Sequence, residues 1–406
     1  MATLILPLVT GPWILRALQP NAFGQYALAL AIVEFGIIIV DFGFLLSATQ
    51  HIAAVRDDKV EVTKYFWTVQ AARLMLMLLS GAVILALIFS VPRFHAIHSV
   101  VALYLPVLVG TLMFPQWLFL GLGRVRAVSL LNITARLLLL PLIFILVTKP
   151  SDAGVAAIIA AGSYLISGIL STFFIIRWGL LSGFIRPRLS SIWMACKDSW
   201  PLFLANIAFS LYSTCNTVIL GAVKDDYAVG LFSAADKLRF AAQTPTRAIS
   251  TVFFPRVSRA ISLSRPKALT LMAGLTLALT LIGVLTCSFL YLFSSEILHL
   301  FAGSTFGDSV SVLEILSFVC ILVSVNTALG TLGMVNLGLK KQFSRIVVSC
   351  GVVNVILLLF LARSYGANGA AVSLLVTEIC VGMLMLATLV RHGVVRDIYF
   401  ALRGTH

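Results

Sequence analysis

Apolar residues along this chain fall in long runs separated by short polar links, at about 1–18, 22–50, 65–91, 97–121, 126–148, 153–177, 197–222, 227–253, 267–294, 309–335, 343–363 and 368–391. Crossing a hydrocarbon core of about 30 Å takes about 20 residues of helix at about 1.5 Å each, so the runs have spanning length. Barrel strands would instead show segments of about ten residues with alternating polarity. The pattern predicts an all-α polytopic integral membrane protein of about twelve transmembrane helices.

The polar links divide the chain. None is long enough to fold alone, and the longest, 179–199, carries Arg186-Pro187-Arg188 at the sequence midpoint. It reads as a cytoplasmic connector between two six-helix lobes, 1–178 and 200–406. The lobes look related: Leu122-Gly123-Arg124-Val125-Arg126, Ser129 and Ala153-Gly154 recur as Leu337-Gly338-Leu339-Lys340-Lys341, Ser344 and Asn368-Gly369, all at one offset. Six spans per lobe bring both copies in from the same side, which predicts parallel repeats with a binding site near the midplane between them.

Composition agrees with the pattern. Hydrophobic residues make up 60% and charged residues 11%, against roughly 45–50% and about 25% in a soluble domain, and the mean hydropathy is +1.06. The formal charge of +14 raises nucleic acid as a partner, but its placement argues otherwise. With a cytoplasmic N-terminus, the cytoplasmic links hold Arg56, Lys59, Lys64, Arg124, Arg126, Arg177, Arg186, Arg188, Lys197, Arg256, Arg259, Arg265, Lys267, Lys340, Lys341 and Arg345, and the C-terminal segment adds Arg391, Arg396 and Arg403. That bias is the positive-inside rule and places both termini in the cytoplasm.

Six cysteines lie singly in or beside the spans with no CxxC pair, and the histidines fall in links or at span ends, so neither a disulfide framework nor a metal site is expected. No phosphate-binding G-x-x-x-x-G-K-[ST] loop, H-E-x-x-H or G-x-S-x-G is present, and no cofactor is indicated. The protein reads as a non-enzyme.

Charges inside the spans carry the chemistry, because each costs about 2.5–3.5 kcal/mol on insertion scales unless paired or hydrated. Glu34, Arg136, Asp236, Lys237, Arg239 and Glu378 fall near mid-depth, with Asp41, Arg73 and Arg247 nearer the cytoplasm. Residues three, four and seven apart share a helix face. That spacing aligns Asp236, Arg239, Gln243, Arg247 and Ser250; Ser129, Asn132 and Arg136; Gln70 and Arg73; Glu34 and Asp41; and Asn206, Ser210, Ser213 and Thr217. Polar stripes on several helices imply a hydrated cavity. Arg136, Arg239, Arg247, Arg73 and Lys237, with Asn132, Gln243 and Asn206, are the candidates for holding a di-anion, which guanidinium groups bind bidentately. Snorkelling of Arg73 and Arg247, and pairing of Asp236 with Arg239 or Lys237, is the competing structural explanation. Glu34, Asp41, Asp236 and Glu378 are candidates for a proton or sodium site.

Leu6-Pro7-Leu8, Pro12-Trp13, Arg16-Ala17-Leu18-Gln19-Pro20, Phe23-Gly24-Gln25-Tyr26-Ala27 and Asp41-Phe42-Gly43-Phe44, with Gly230-Leu231-Phe232-Ser233-Ala234-Ala235-Asp236-Lys237 in the eighth span, resemble the polysaccharide transporter family. The likeness is to its O-antigen flippase type, within the multidrug/oligosaccharidyl-lipid/polysaccharide exporter superfamily. Family members carry more chain ahead of the first Leu-Pro, so a shortened first helix is expected, and commonly Arg where this chain has Gln50. The resemblance implies a two-lobe fold like that of multidrug and toxin extrusion (MATE) transporters in a bacterial inner membrane. It also implies transfer of an undecaprenyl-pyrophosphate-linked oligosaccharide from the cytoplasmic to the periplasmic leaflet by alternating access. Membrane lipids, a coupling H+ or Na+ and other polysaccharide-assembly proteins are the partners it suggests. A MATE-type cation antiporter and an O-antigen polymerase or ligase are the competing functions. The basic spans argue against the first, and the short periplasmic links against the second.

Overall fold

The computed structural model describes the backbone of residues 2–403; the side chains of residues 1–8, 205, 208, 209, 211–213, 399 and 402–406, among them Ser213 and Arg403, lie outside what is described. No strand occurs among the described residues. The helices are α1 (Ala2–Asp41), α2 (Phe44–Ala54), α3 (Lys59–Ser90), α4 (His98–Tyr104), α5 (Pro106–Met113), α6 (Gln116–Gly121), α7 (Val125–Leu146), α8 (Ala153–Arg177), α9 (Leu189–Ser213), α10 (Cys215–Val223), α11 (Asp226–Ala242), α12 (Thr244–Leu263), α13 (Arg265–Leu292), α14 (Ser294–Ala302), α15 (Ser309–Asn326), α16 (Lys340–Arg391) and α17 (Val394–Arg403).

Eight helical segments among the described residues are long and apolar enough to cross a membrane. Two of them hold a pair of predicted spans each. In α1 the break is Gln19, at φ 59 and ψ 171, where Pro20 bars the α region to the residue before it. In α16 the break is Gly366, at φ 57 and ψ −128, a region open to glycine. The chain folds back there, since Asn354 Oδ1 accepts from Ser373 Oγ at 3.0 Å and Thr377 Oγ1 at 3.1 Å. In a straight helix the first pair would stand roughly 28 Å apart. The predicted spans 197–222 and 227–253 are not among the eight, and helix breaks at Thr214 and at Gln243, ahead of Pro245, divide each of them.

By packing, the chain forms two compact units, 1–222 and 223–406. The expected boundary in the connector 179–199 differs from this: the packing boundary lies later, inside α10. The reason is that α9 packs within the first unit, where Ser199 Oγ meets Ser47 Oγ at 2.6 Å and Phe203 stacks on Phe42 with centroids 4.2 Å apart.

Close helix contacts in the first unit depend on small residues, as in membrane bundles generally. A Cβ on Gly110 of α5 would lie 2.5 Å from the Tyr164 backbone of α8, and one on Gly168 of α8 would lie 2.6 Å from Met113 Cβ. At one end of this unit Phe44, Phe66, Trp117, Leu118 and Phe119 form a buried cluster. In the second unit α13 packs on α15 at Gly283, Ser309 Oγ of α15 donates to the Leu231 carbonyl of α11 at 3.1 Å, and α15 continues into a π-helix over Thr327–Met334.

The internal repeat has a counterpart in the backbone. Arg124 N donates to Phe119 O at 2.7 Å, Leu122 N to Leu118 O and Gly123 N to Leu120 O. Leu339 N donates to Met334 O at 2.8 Å, Leu337 N to Gly333 O and Gly338 N to Val335 O. These are the same three bonds at the same sequence offset. Gly123 and Gly338 both take left-handed φ, 75 and 83, and α7 and α16 begin two residues after them.

Candidate functional site

Each unit carries its own buried polar network. In the first, Arg73 of α3 is the organising residue, with only 1% of its surface exposed. Its Nη2 donates to Asp41 Oδ1 at 2.9 Å and to the Thr111 carbonyl at 2.8 Å. The second bond has a local cause. Pro115 lacks the N–H that would close on the Thr111 carbonyl in a continuous helix; Phe114 N closes a tighter turn on it at 3.3 Å, and Arg73 adds a second donor at the end of α5. Gln70, one turn earlier on α3, donates to the adjacent Leu112 carbonyl at 3.1 Å. Arg73 therefore does not snorkel; it is enclosed and ties α1, α3 and α5 together.

Beyond this pair, Arg136 of α7 interacts with the Tyr164 side chain of α8, and Glu34 and Asp41 lie within electrostatic range of the same tyrosine. Tyr104 of α4 has Tyr26, Glu34, Arg136 and Tyr164 as electrostatic neighbours. Glu34 itself is exposed and Arg136 half-buried. Asn132, although on the Arg136 face, turns its Nδ2 back to the Val128 carbonyl at 3.2 Å.

In the second unit, Arg239 Nε and Nη2 both meet Asp236 Oδ1 at 2.6 Å, and Nη1 donates to Gln243 Oε1 at 3.0 Å. Cys320 and Glu378 are electrostatic neighbours of the same guanidinium. Glu378 is buried, and its Oε2 accepts from Asn326 Nδ2 at 2.6 Å. Asn326 also donates to the Glu378 carbonyl at 3.0 Å, which locks the last residue of α15 onto α16 beside the π-helix.

The expected stripe of α11 and α12 does not continue through the break at Gln243. Arg247 folds back, with Nη2 donating to the Phe240 carbonyl at 3.0 Å and its guanidinium 3.4 Å from the Phe240 ring centroid. Lys237 and Asn206 are exposed. The structure thus joins Asp41 with Arg73, sets Glu34 and Arg136 around the same two tyrosines, Tyr104 and Tyr164, and joins Asp236 with Arg239 and Gln243, with Glu378 and Arg247 as electrostatic neighbours; Asn132 turns back onto its own helix. The pattern search passed over Tyr26, Tyr104, Tyr164, Thr111, Trp117 and Asn326. An asparagine inside an apolar run, next to the glycines Gly330 and Gly333, was the one signal available for Asn326.

The six cysteines are free, and no group of three or more His, Cys, Asp and Glu side chains suited to a metal ion occurs among the described residues.

Comparison with known proteins adds the following. The profile described as "Polysaccharide biosynthesis protein" matches residues 1–261. A protein of Escherichia coli strain K12 named "Putative O-antigen transporter" is 32% identical over 382 residues, covering 94% of this chain and 92% of that protein. Among solved structures, the lipid II flippase MurJ in an inward closed conformation matches with a TM-score of 0.74 at 14% identity, over 99% of this chain and 90% of that one. An inward-facing MATE family multidrug resistance transporter of the MOP superfamily matches with a TM-score of 0.73 at 16% identity, over 96% and 95%. These structural likenesses concern the fold, which is that of a polytopic helical membrane transporter. The length of the profile match, together with the full-length relative, shows that this chain belongs to the polysaccharide biosynthesis protein family.

Proposed function

We propose that this protein is a flippase that moves a lipid-linked oligosaccharide, the O-antigen or a related polysaccharide repeat unit on undecaprenyl pyrophosphate, from the cytoplasmic to the periplasmic leaflet. The observation that carries the reading is the near full-length likeness to a relative named as an O-antigen transporter. It is supported by the chemistry of the spans, where guanidinium groups lie within apolar helices. A pyrophosphate must cross hydrocarbon while its lipid tail remains there. Arg136 and Arg239, each set in a polar network, supply bidentate donors for phosphate oxygens. Their neighbours Gln243, Tyr104 and Tyr164 supply hydrogen-bond partners for sugar hydroxyls.

In this reading the transporter sits in a bacterial inner membrane with both termini cytoplasmic, an orientation that the distribution of basic residues supports. It acts by alternating access of two lobes and draws on an ion gradient, because the chain carries no phosphate-binding loop for ATP. Glu34, Asp41, Asp236 and Glu378 are the carboxylates available to a coupling H+ or Na+. A MATE-type antiporter shares the fold, but a site built on arginines repels organic cations.

Deletion of the gene followed by analysis of lipid-linked glycans tests the reading. Loss of transport leaves single repeat units on their lipid in the cytoplasmic leaflet. Delivery of single repeat units to the outside in the deletion strain would instead indicate a polymerase.

A further inference from the structure

A small cavity of about 70 Å³ lies in the first unit, lined by Asp41, Arg73, Thr111, Phe114, Trp117 and Tyr164 among others. Three of these residues keep a buried polar atom with no hydrogen-bond partner: Arg73 Nε, Thr111 Oγ1 and Trp117 Nε1. Each is nearly enclosed, with 1%, 7% and 2% of its surface exposed. Buried donors without partners are costly, and native structures keep few of them. Three around one cavity mark a place where a partner arrives.

Charge and size identify the partner. Arg73 and Asp41 neutralise each other at 2.9 Å, so the cavity carries no net charge to attract a phosphate. The side chain of Asp41 is 41% exposed and lines the cavity. Arg73 engages Asp41 Oδ1, and the second carboxylate oxygen adds acceptor capacity to a partly exposed side chain. Around it the wall combines donors, an acceptor and the aromatic side chains Phe114, Trp117 and Tyr164. A water needs about 10–15 Å³ in this measure, so the space equals on the order of five waters, the bulk of one hexose ring. Hydroxyls that both donate and accept, on a ring with apolar faces, match such a wall.

We propose that this cavity is a subsite for one uncharged sugar residue of the transported glycan, bound through Asp41, Arg73, Thr111 and Trp117. The proposal rests on the transport reading above and adds where the first unit reads the sugar, apart from the arginines that hold pyrophosphate.

The test is complementation of the deletion strain with Thr111→Val, Thr111→Ser and Trp117→Phe, comparing surface glycan with the amount of protein in the membrane and the melting temperature of the purified protein. Thr111→Val removes a hydroxyl that has no partner inside the protein, so in the absence of a ligand it is neutral or stabilising. The subsite predicts that Thr111→Val lowers export at least about threefold at unchanged abundance and melting temperature, a loss of roughly 0.7 kcal/mol in transition-state binding, while Thr111→Ser stays near wild type; Trp117→Phe also lowers export, together with the lower melting temperature that a smaller ring in the buried cluster brings. Wild-type export by Thr111→Val, or an equal loss in Thr111→Val and Thr111→Ser, overturns the subsite and leaves the transport reading standing. If the deletion strain itself exports normally, the transport reading falls first.

Discussion

At Arg73 a full guanidinium is enclosed, held by a carboxylate and by the Thr111 carbonyl at the end of α5. Removing one partner of a buried pair leaves an uncompensated charge, which costs about 3–5 kcal/mol. Asp41→Ala is therefore expected to lower the melting temperature of the detergent-solubilised protein markedly, and an unchanged melting curve would mean that the pair carries no structural role. Arg136 and Arg239 belong to a different category. Arg136 is half-buried beside Tyr164; Arg239 pairs with Asp236, whose side chain is 28% exposed, so water can replace either guanidinium for the fold while an anionic cargo loses its donor. Arg136→Ala and Arg239→Ala are each expected to abolish glycan export while the protein remains in the membrane at wild-type abundance. Full surface glycan in both variants would remove these arginines from the site. At this scale the sequence disclosed the buried charges but not their partners. Spacing along one helix brought Asp236, Arg239 and Gln243 together correctly, whereas Arg247 lies past a break that spacing does not register. Tyr104 and Tyr164 come from separate helices and so leave no common pattern to read.

The helices were legible because a hydrocarbon core imposes their length, and α8 at Ala153–Arg177 falls on the predicted run almost residue for residue. Their interruptions were not. The π-helix at Thr327–Met334 lies inside an unbroken apolar run, and the division of 97–121 into α4, α5 and α6 falls at Pro106 and Pro115, whose effect depends on what replaces the missing bond. Helix contact also sets the demands on glycine. A Cβ at Gly110 would lie 2.5 Å from the Tyr164 backbone, while one at Gly81 of α3 would meet nothing within 4 Å. Gly110→Ala is expected to cost about 1–3 kcal/mol through overpacking. Gly81→Ala is expected to stabilise by about 0.5–1 kcal/mol because alanine loses less backbone entropy in a helix. Thermal melts of the two variants side by side check this, and equal shifts would contradict the close approach of α5 and α8.

At the scale of the whole molecule, the repeat was visible in the sequence as two matching links, and the structure gives it physical form as the two turns at Gly123 and Gly338 with the same hydrogen bonds. The packed units divide at 222/223, later than the longest polar link at 179–199, because a link's length reflects its exposure and α9 after it packs within the first unit. Transport follows from the family likeness and from arginines placed where hydrocarbon would otherwise forbid them. The most direct test of transport is reconstitution of the purified protein into liposomes containing the lipid-linked oligosaccharide, with an impermeant glycosidase added outside under an imposed ion gradient. The account predicts that the cleaved fraction rises past the outer-leaflet half toward completion with wild-type protein and stays near half with Arg136→Ala/Arg239→Ala. Cleavage that stops at half with the wild-type protein, under both proton and sodium gradients, would contradict it.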